Sequence, residues 1–253
     1  MVIYQNMAEF NSYLSVAVPQ TLYSADRERI AWQIATVLKQ TQPGLKFKKV
    51  KCLDVGSSSG EVASYLGKYV NKIICLDVDK NALSIGKKKF ARHKNLRFAH
   101  FDGAKIPFND NLFDVVILRR VIECTKYPEK LMAEIFRVLK PKGLVYFESQ
   151  NIIWPDPHWD YFAFVPPQLK KVLALAFGKK HYYFATYRSY WQLKKLFKKF
   201  RIHLITPLIL KNPIRYNFSR LKVIQPVSNL VPSSFFYFLE PFNRHFIWVL
   251  EKP

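Results

Sequence analysis

The chain has 253 residues, of which 40 are lysine or arginine and 18 are aspartate or glutamate, for a formal net charge of +22. A chain of this length buries enough apolar surface to fold without covalent or metal cross-links. Three cysteines, Cys52, Cys75 and Cys124, are too few for a disulfide framework, and no C-x-x-C or H-E-x-x-H spacing is present, so we expect no metal site.

The sequence also lacks the usual signals for export or for membrane insertion. No apolar run is long enough to span a bilayer, and the N-terminus MVIYQNMAEFNSYLSV lacks the basic and apolar regions of a secretory signal. We therefore expect a cytoplasmic protein, with a place at the inner face of the membrane as the open alternative.

Positive charge is denser in the second part of the chain. Residues 1–150 hold 24 basic and 14 acidic residues, whereas residues 151–253 hold 16 basic and 4 acidic residues. Such an excess favours a polyanionic partner, either nucleic acid, anionic lipid or a phosphorylated substrate. The alternative is a lysine-rich surface that faces only solvent.

The first 150 residues alternate short β-branched runs with helical periodicity, which predicts βαβ units and a parallel sheet. The predicted helices are Ala25–Leu38, Glu61–Val70, Lys80–His93 and Glu129–Lys140. The predicted strands are Val50–Val55, Lys72–Asp77, Leu96–Asp102, Phe113–Leu118 and Gly143–Ser149.

The remaining residues complete the sheet and add two insertions. Ser189–Phe200 has helical spacing, and Arg201–Ile209 and His245–Leu250 are predicted strands, while 151–188 and 210–244 are rich in proline and aromatic residues. We predict an α/β fold: one domain over 1–253, with a Rossmann-like, seven-strand, mostly parallel sheet flanked by helices. It comprises a helical lead-in (1–44), a ligand-binding core (45–150) and aromatic-rich insertions after the fifth and sixth strands (151–188 and 210–244).

The stretch LDVGSSSGEVASYLG marks a sharp turn between the first strand and its helix. Gly56 and Gly60 permit positive φ and close approach of a ligand to the backbone. Backbone N–H groups at the helix start and the hydroxyls of Ser57–Ser59 favour an anionic or carboxylate-bearing ligand.

Two acids are expected at the same edge of the sheet. Asp77 follows Gly56 by 21 residues, close to the spacing at which an acid binds a ribose hydroxyl in doubly wound folds. Asp102 follows the next predicted strand. Taken singly, each has an alternative interpretation, Asp77 as a helix N-cap and Asp102 as a turn residue.

In combination these segments resemble the class I S-adenosylmethionine-dependent methyltransferases, in particular the type 11 small-molecule group. LDVGSSSG is similar to the D-x-G-x-G-x-G motif, ICLDVDKNAL to the segment with the ribose acid, and HFDGAKIPF to the segment near the adenine; VIECTKYPEKLMAEIFRVLKPKGLVYFES is similar to the helix and fifth strand that follow. The resemblance implies S-adenosyl-L-methionine as cofactor, bound by Asp54, Gly56, Ser58, Gly60, Asp77, Asp102, Gly103 and Ala104. A dinucleotide is disfavoured because the turn lacks the G-x-G-x-x-G pattern.

Two positions depart from the family pattern. Ser58 replaces the middle glycine, so the turn would hold the methionine part of the cofactor with a bulkier residue. Cys124 stands where many relatives have histidine, so a histidine base cannot be transferred to that position.

The acceptor side is expected in the insertions. NIIWPDPHWDYFAFVPPQLKKV resembles an element of methyltransferases of surface glycan and lipid-linked sugar biosynthesis, which nominates Asp156, His158 and Asp160, with His158 as general base oriented by a carboxylate. His181 is a second candidate base. The alternative is that Asp156 and His158 only stabilise a turn between two prolines.

The sequence thus predicts methyl transfer to a small-molecule or lipid-linked acceptor, with a sugar hydroxyl favoured. An anionic membrane is a further candidate partner, because lysines flank aromatic and apolar runs in both insertions. RNA methylation is less favoured, since no N-P-P-Y type sequence follows the fourth strand, and a non-catalytic cofactor-binding partner is the third hypothesis. The oligomeric state is left open.

Overall fold

The structure is a computed structural model that describes residues 20–152, 187–207, 230–243 and 245–253. Its helices are α1 (Gln20–Thr41), α2 (Glu61–Leu66), α3 (Lys80–Lys89), α4 (Pro128–Val138), α5 (Tyr190–Leu196) and α6 (Ser233–Leu239), with 3₁₀ turns at Phe47–Lys49 and Glu240–Phe242. Its strands are β1 (Lys51–Val55), β2 (Lys72–Asp77), β3 (Leu96–His100), β4 (Phe113–Arg119), β5 (Leu139–Gln150), β6 (Arg201–Leu204) and β7 (His245–Glu251).

The seven strands form one sheet in the order β3-β2-β1-β4-β5-β7-β6. Strands β1 to β5 pair in parallel, and β7 runs antiparallel to both β5 and β6. The predicted α/β fold with a mostly parallel seven-strand sheet is confirmed. The strand order reverses between β1 and β4, which is the point where open α/β sheets bind ligands beyond the carboxyl ends of their strands.

Both faces of the sheet are covered by apolar side chains. Along β1, Leu53 and Val55 belong to one core cluster while Cys52 belongs to the other, as strand alternation requires. The first cluster includes Ile135 of α4 and Leu193 of α5. The second includes Ile34 of α1. The sheet is therefore a layer between helices, and the edge formed by its carboxyl strand ends is left for ligands.

Several boundaries differ from the predicted ones. Strand β5 begins at Leu139 because that residue pairs with Phe113, so α4 ends at Val138 and not at Lys140. Strand β3 ends at His100, two residues earlier than predicted, and Asp102 lies in a turn. Helices α2, α3 and α5 are also shorter than the periodicity predicts. The part of the predicted sixth strand beyond Pro207 lies outside the described residues.

The apolar character of the helices and the state of two cysteines complete the description of the fold. Within the described ranges, no helix combines the length and the apolar character that crossing a membrane requires. Cys52 and Cys75 are free thiols buried in β1 and β2. Burial raises the pKa of both thiols well above the ordinary value, so both remain protonated and apolar.

Candidate cofactor site

The turn after β1 is made of alternating left-handed residues. Gly56, Ser58 and Gly60 have φ values of 71°, 51° and 76°. The motif glycines occupy two of these positions, and Ser58 adopts the conformation that suits glycine at the third. The turn is attached to β2 because the backbone N–H groups of Gly56 and Ser57 both donate to Leu76 O, at 2.8 and 3.2 Å.

Lack of space as well as conformation requires glycine in this turn. A Cβ at Gly56 would overlap Cγ2 of Val121, which follows β4. A Cβ at Gly60 would lie 2.8 Å from Cε1 of Phe98. Helix α2 begins at the next residue, Glu61, as the strand-turn-helix pattern predicted. The glycines thus allow the turn to pack closely against Val121 and Phe98 at the switch point between β1 and β4.

Asp77 holds the turn from the end of β2. Its Oδ2 accepts the backbone N–H of Ser58 at 2.7 Å, and its Oδ1 accepts that of Asp79 at 2.9 Å. The side chain is buried, and burial raises the pKa of Asp77 although these two hydrogen bonds oppose the shift. An ionised carboxylate has about four acceptor positions, so two N–H donors leave capacity for ribose hydroxyls.

Asp54 lies on β1, beside Asp77, and is also buried. Burial and the neighbouring Asp77 carboxylate raise the pKa of Asp54 to about 7, and Arg119 opposes that shift. An acid with a pKa near neutrality binds a cation most strongly once it has released its proton. Asp54 is therefore suited to bind a positively charged ligand group in a pH-dependent way.

Asp102 joins the same edge through the backbone of β3. Phe101 N donates to Asp77 O at 3.2 Å, which fixes the start of the Asp102 turn next to the end of β2. Asp102 is exposed, and its Oδ1 accepts the N–H groups of Ala104 and Lys105 at 2.8 and 2.9 Å. These two bonds lower the pKa of Asp102, so it is a carboxylate at neutral pH.

These bonds bear on how the turn could bind an adenine ring. Gly103 between the two partners has a φ of 83°. Ala104 is one of the residues that the resemblance implies for the cofactor, and its N–H already has an intramolecular acceptor. The second carboxylate oxygen of Asp102 is the group that this turn offers to an exocyclic amine.

The loop after β4 contains an ion pair between the buried Glu123 and the half-buried Arg120. Glu123 is 3% exposed, and its Oε1 lies 2.9 Å from Nε of Arg120. Its Oε2 accepts the Ser149 hydroxyl at 3.0 Å, which connects this loop to β5. Burial raises the pKa of Glu123, and Arg120 opposes that shift. Arg188, which precedes α5, contacts the same loop by donating from Nη1 to Ile122 O at 2.6 Å.

Cys124, at the position where many relatives carry histidine, has no role as a base here. Its Sγ donates to Arg120 O at 3.2 Å, and burial raises the pKa of this thiol well above its ordinary value. It is a structural thiol in the loop.

The predicted cofactor residues Asp54, Gly56, Ser58, Gly60 and Asp77 are brought together, and Asp102, Gly103 and Ala104 follow at the neighbouring strand end. The predicted catalytic residues Asp156, His158 and His181, with Asp160, lie outside the described residues. A surface pocket of about 510 Å³ lies in the loop that follows Asp102. It is lined by residues 105–110 and Arg137 and contains none of the predicted site residues.

Two buried polar residues next to the carboxyl end of β5 were not identified from the sequence. Asn151, directly after β5, donates from Nδ2 to Pro241 O and Asn243 O, at 2.8 and 2.9 Å. Glu240 is fully buried and accepts from Trp248 Nε1 and Asn243 Nδ2. Asn151 is about ninety residues from its partners in the chain, so no local pattern predicts that contact. For Glu240 the sequence shows only an acidic residue within a run of aromatic residues, which does not indicate that the residue is buried.

Comparison with known proteins agrees with this geometry. Residues 53–147 match the family described as "Methyltransferase domain". Demethylmenaquinone methyltransferase from Staphylococcus aureus is 34% identical over 136 residues, which are 50% of this chain and 56% of that protein. The chain therefore spans about half the length of the curated relatives it matches.

Solved structures show the same fold. A SAM-dependent methyltransferase from Aquifex aeolicus superposes with a TM-score of 0.54 at 19% identity, over 76% of this chain and 89% of that one. Phosphoethanolamine N-methyltransferase 2 from Haemonchus contortus, in complex with S-adenosyl-L-methionine, gives a TM-score of 0.54 at 19% identity, over 87% of this chain and 52% of that one.

Residues 53–147 thus match a methyltransferase domain and have the class I, Rossmann-like fold of solved methyltransferases, one of which is in complex with S-adenosyl-L-methionine. The residues present fit that cofactor. The left-handed turn has Gly56 exposed, a buried acid follows at the end of β2, and an exposed carboxylate follows β3.

Proposed function

We propose that this protein transfers a methyl group from S-adenosyl-L-methionine to a small-molecule acceptor. The observation that carries the proposal is the turn at Gly56, Ser58 and Gly60, with positive φ at all three residues, held by the buried carboxylate of Asp77. The name of the Staphylococcus aureus relative, which specifies a small-molecule acceptor, supports this substrate class.

Each cofactor residue has a separate part in this proposal. Gly56, Ser58 and Gly60 bind the methionine portion through the backbone, and Asp54 faces its ammonium group. Asp77 accepts hydrogen bonds from the ribose hydroxyls, and Asp102 accepts one from the adenine amine. The bound cofactor would supply a methyl group on a sulfonium, from which a neutral thioether leaves readily in an in-line displacement.

The protein's own contribution to the reaction is alignment, exclusion of water and removal of one proton. Holding the acceptor nucleophile in line with the methyl group lowers the barrier by removing translational and rotational freedom before the reaction. In that displacement the acceptor would form a bond to the methyl carbon as the carbon–sulfur bond breaks, and the leaving group would be S-adenosylhomocysteine. An acceptor hydroxyl must lose its proton, and we assign that proton to His158, oriented by Asp156, with His181 as the second candidate.

The ion pair of the buried Glu123 with the half-buried Arg120 supports an acceptor position beyond the ends of β4 and β5. Ser149 at the end of β5 is bonded to Glu123 at 3.0 Å, so the two strand ends form one polar wall. This wall begins where Val121 contacts the glycine turn. An acceptor placed against it would lie next to the methionine end of the cofactor.

Calorimetric titration of S-adenosylhomocysteine into wild-type protein, Asp77→Ala and Asp114→Ala tests the proposal. Asp114 is a matched control, since it also accepts a backbone N–H, that of Lys51 at 2.8 Å, but it does so at the opposite edge of the sheet. We expect Asp77→Ala to weaken binding by about 1–3 kcal/mol, the effect of a lost buried hydrogen-bond partner. We expect Asp114→Ala to bind like wild type. Absence of binding to the wild type, or equal affinity in all three proteins, would contradict the proposal.

A further inference from the structure

Helix α6 exposes large aromatic side chains on both sides of one buried aromatic residue. Phe235, Tyr237 and Phe238 are 48%, 42% and 71% exposed, and we call these three residues the aromatic rim. Between them, Phe236 is buried and anchors the helix. Apolar residues that are exposed singly are common on protein surfaces. Three on one helix of seven residues lie close together, and such groups of exposed apolar residues are typical of interaction sites.

The rim is held rigidly by buried polar contacts. Glu240, directly after α6, accepts from Trp248 Nε1 at 2.5 Å and from Asn243 Nδ2 at 2.8 Å. Asn151 donates to Pro241 O at 2.8 Å. These hydrogen bonds attach the turn after α6 to the end of β5 and to β7, so the aromatic rim is part of the folded domain.

Topology places the rim at the same edge of the sheet as the cofactor turn. Asn151 follows the carboxyl end of β5, which is parallel to β1 and β2. His245, which starts the antiparallel β7, pairs with Gln150 at that edge. In strand order β5 and β7 lie on the far side of β4 from the cofactor turn. The rim thus borders the side where the acceptor is proposed to bind.

The charge around the rim favours an anionic surface. Residues 187–207, 230–243 and 245–253 together contain seven basic residues and two acidic ones, Glu240 and Glu251. Glu240 is fully buried, so it adds no exposed negative charge beside the rim. Helix α5, which packs against the Glu240–Phe242 turn, presents Trp191, Lys194 and Lys195 to solvent.

We propose that the aromatic rim and the basic surface of α5 dock this protein on an anionic lipid bilayer, so that the acceptor is taken from the membrane. The inference rests on the proposed function, and it narrows the acceptor to a molecule carried in the bilayer. Aromatic side chains prefer the water–bilayer interface, and lysines beside them add attraction to anionic headgroups. A second copy of the chain is a less favourable partner, because two surfaces of the same positive charge repel each other.

Vesicle flotation tests this inference with the full chain. Vesicles of phosphatidylcholine, alone or mixed with phosphatidylglycerol, are incubated with wild type, with Phe235→Ser/Phe238→Ser and with Trp32→Ser. Trp32 is the matched control, because it is 50% exposed on α1, which covers the opposite face of the sheet. Phe238→Ser alone serves if the double variant does not fold, as judged by its thermal transition.

We expect wild type and Trp32→Ser to float with the anionic vesicles and the double variant to lose about tenfold or more in partitioning, since each buried phenylalanine adds substantially to membrane affinity. Failure of wild type to float would overturn the inference. So would full flotation of the rim variants, or a wild-type dimer that the rim variants dissociate, or flotation abolished by RNA that binds the rim. S-adenosylhomocysteine titration of the same samples separates the two proposals, because loss of vesicle binding leaves cofactor affinity unchanged.

Discussion

At β1 and β2 the carboxyl edge of the sheet is shaped by the main chain, whereas at β5 and β7 it is shaped by side chains. The first region depends on positive φ at Gly56, Ser58 and Gly60 and on N–H groups that face Asp77. The second depends on the buried contacts of Asn151 and Glu240. In the proposed function this backbone turn and the carboxylates at the neighbouring strand ends bind the cofactor, and the side chains at β5 and β7 are left to specify the acceptor.

The largest effect is expected on the acceptor side of this comparison. Replacing His158 with alanine should reduce turnover by about 10²–10⁴-fold, the contribution of a general base, and should leave S-adenosylhomocysteine affinity unchanged. Transfer of labelled methyl from S-adenosyl-L-methionine into a total lipid extract measures turnover, and calorimetry measures affinity.

His203→Ala is the control for this substitution, since His203 lies 3.0 Å from Glu251 on β6 and β7, away from the carboxyl edge. An equal loss of cofactor affinity and turnover in His158→Ala would show that His158 is structural and would remove the proposed division between the two regions.

The next effect concerns the main-chain region. Gly56→Ala should lower the free energy of unfolding by about 2–4 kcal/mol and weaken cofactor binding, because alanine at φ 71° is strained and its Cβ overlaps Val121. Gly44→Ala is the matched control, since a Cβ there meets nothing within 4 Å. Denaturant unfolding of both variants decides the matter, and a Gly56→Ala protein as stable as Gly44→Ala would contradict the structure of the turn.

A smaller effect should follow pH through Asp54, whose pKa is raised to about 7. Below that pH the carboxyl holds a proton in the free protein, and a bound ammonium group requires it to be released. The affinity for S-adenosylhomocysteine should therefore be highest above about pH 7 and fall by up to about tenfold per unit as the pH is lowered further. Asp54→Asn should remove this dependence, and a wild-type affinity that is flat between pH 6 and 8 would contradict the role of Asp54.

The smallest effect tests the departure of Ser58 from the family pattern. Ser58→Gly should raise the free energy of unfolding by about 0.5–1 kcal/mol, because glycine adopts the φ of 51° without strain. Ser57→Gly is the opposite control, since Ser57 is not left-handed and glycine there should cost a similar amount. Thermal melts that moved in the same direction for both variants would contradict this reading of the turn.

The same contrast explains how much could be predicted from sequence. The seven strands were predicted because buried β-branched runs and a short turn are local signals, and the Lys72–Asp77 strand agrees with the structure at both ends. The cofactor residues were predicted because they recur at strand ends with a characteristic spacing. Boundaries failed where a distant partner decides them, as at Leu139, which enters β5 by pairing with Phe113.

The acceptor side was only partly predictable for the same physical reason. The burial of Glu123 and its bond to Ser149 depend on a strand 26 residues away. The contact between Glu240 and Trp248 is only eight residues long in sequence, yet it forms because β7 returns into the core beside β5. Such contacts follow from the tertiary fold, and no spacing rule predicts them.

The most direct test of the account is amide hydrogen exchange of the wild-type protein with and without S-adenosylhomocysteine. The account predicts slower exchange on binding at residues 56–60, 77–79 and 102–105, with little change at Asp114 and the amino ends of the strands. Protection confined to other segments, or none at a ligand concentration that saturates the protein, would contradict the claim that the left-handed turn at the carboxyl edge is the methyl-donor site.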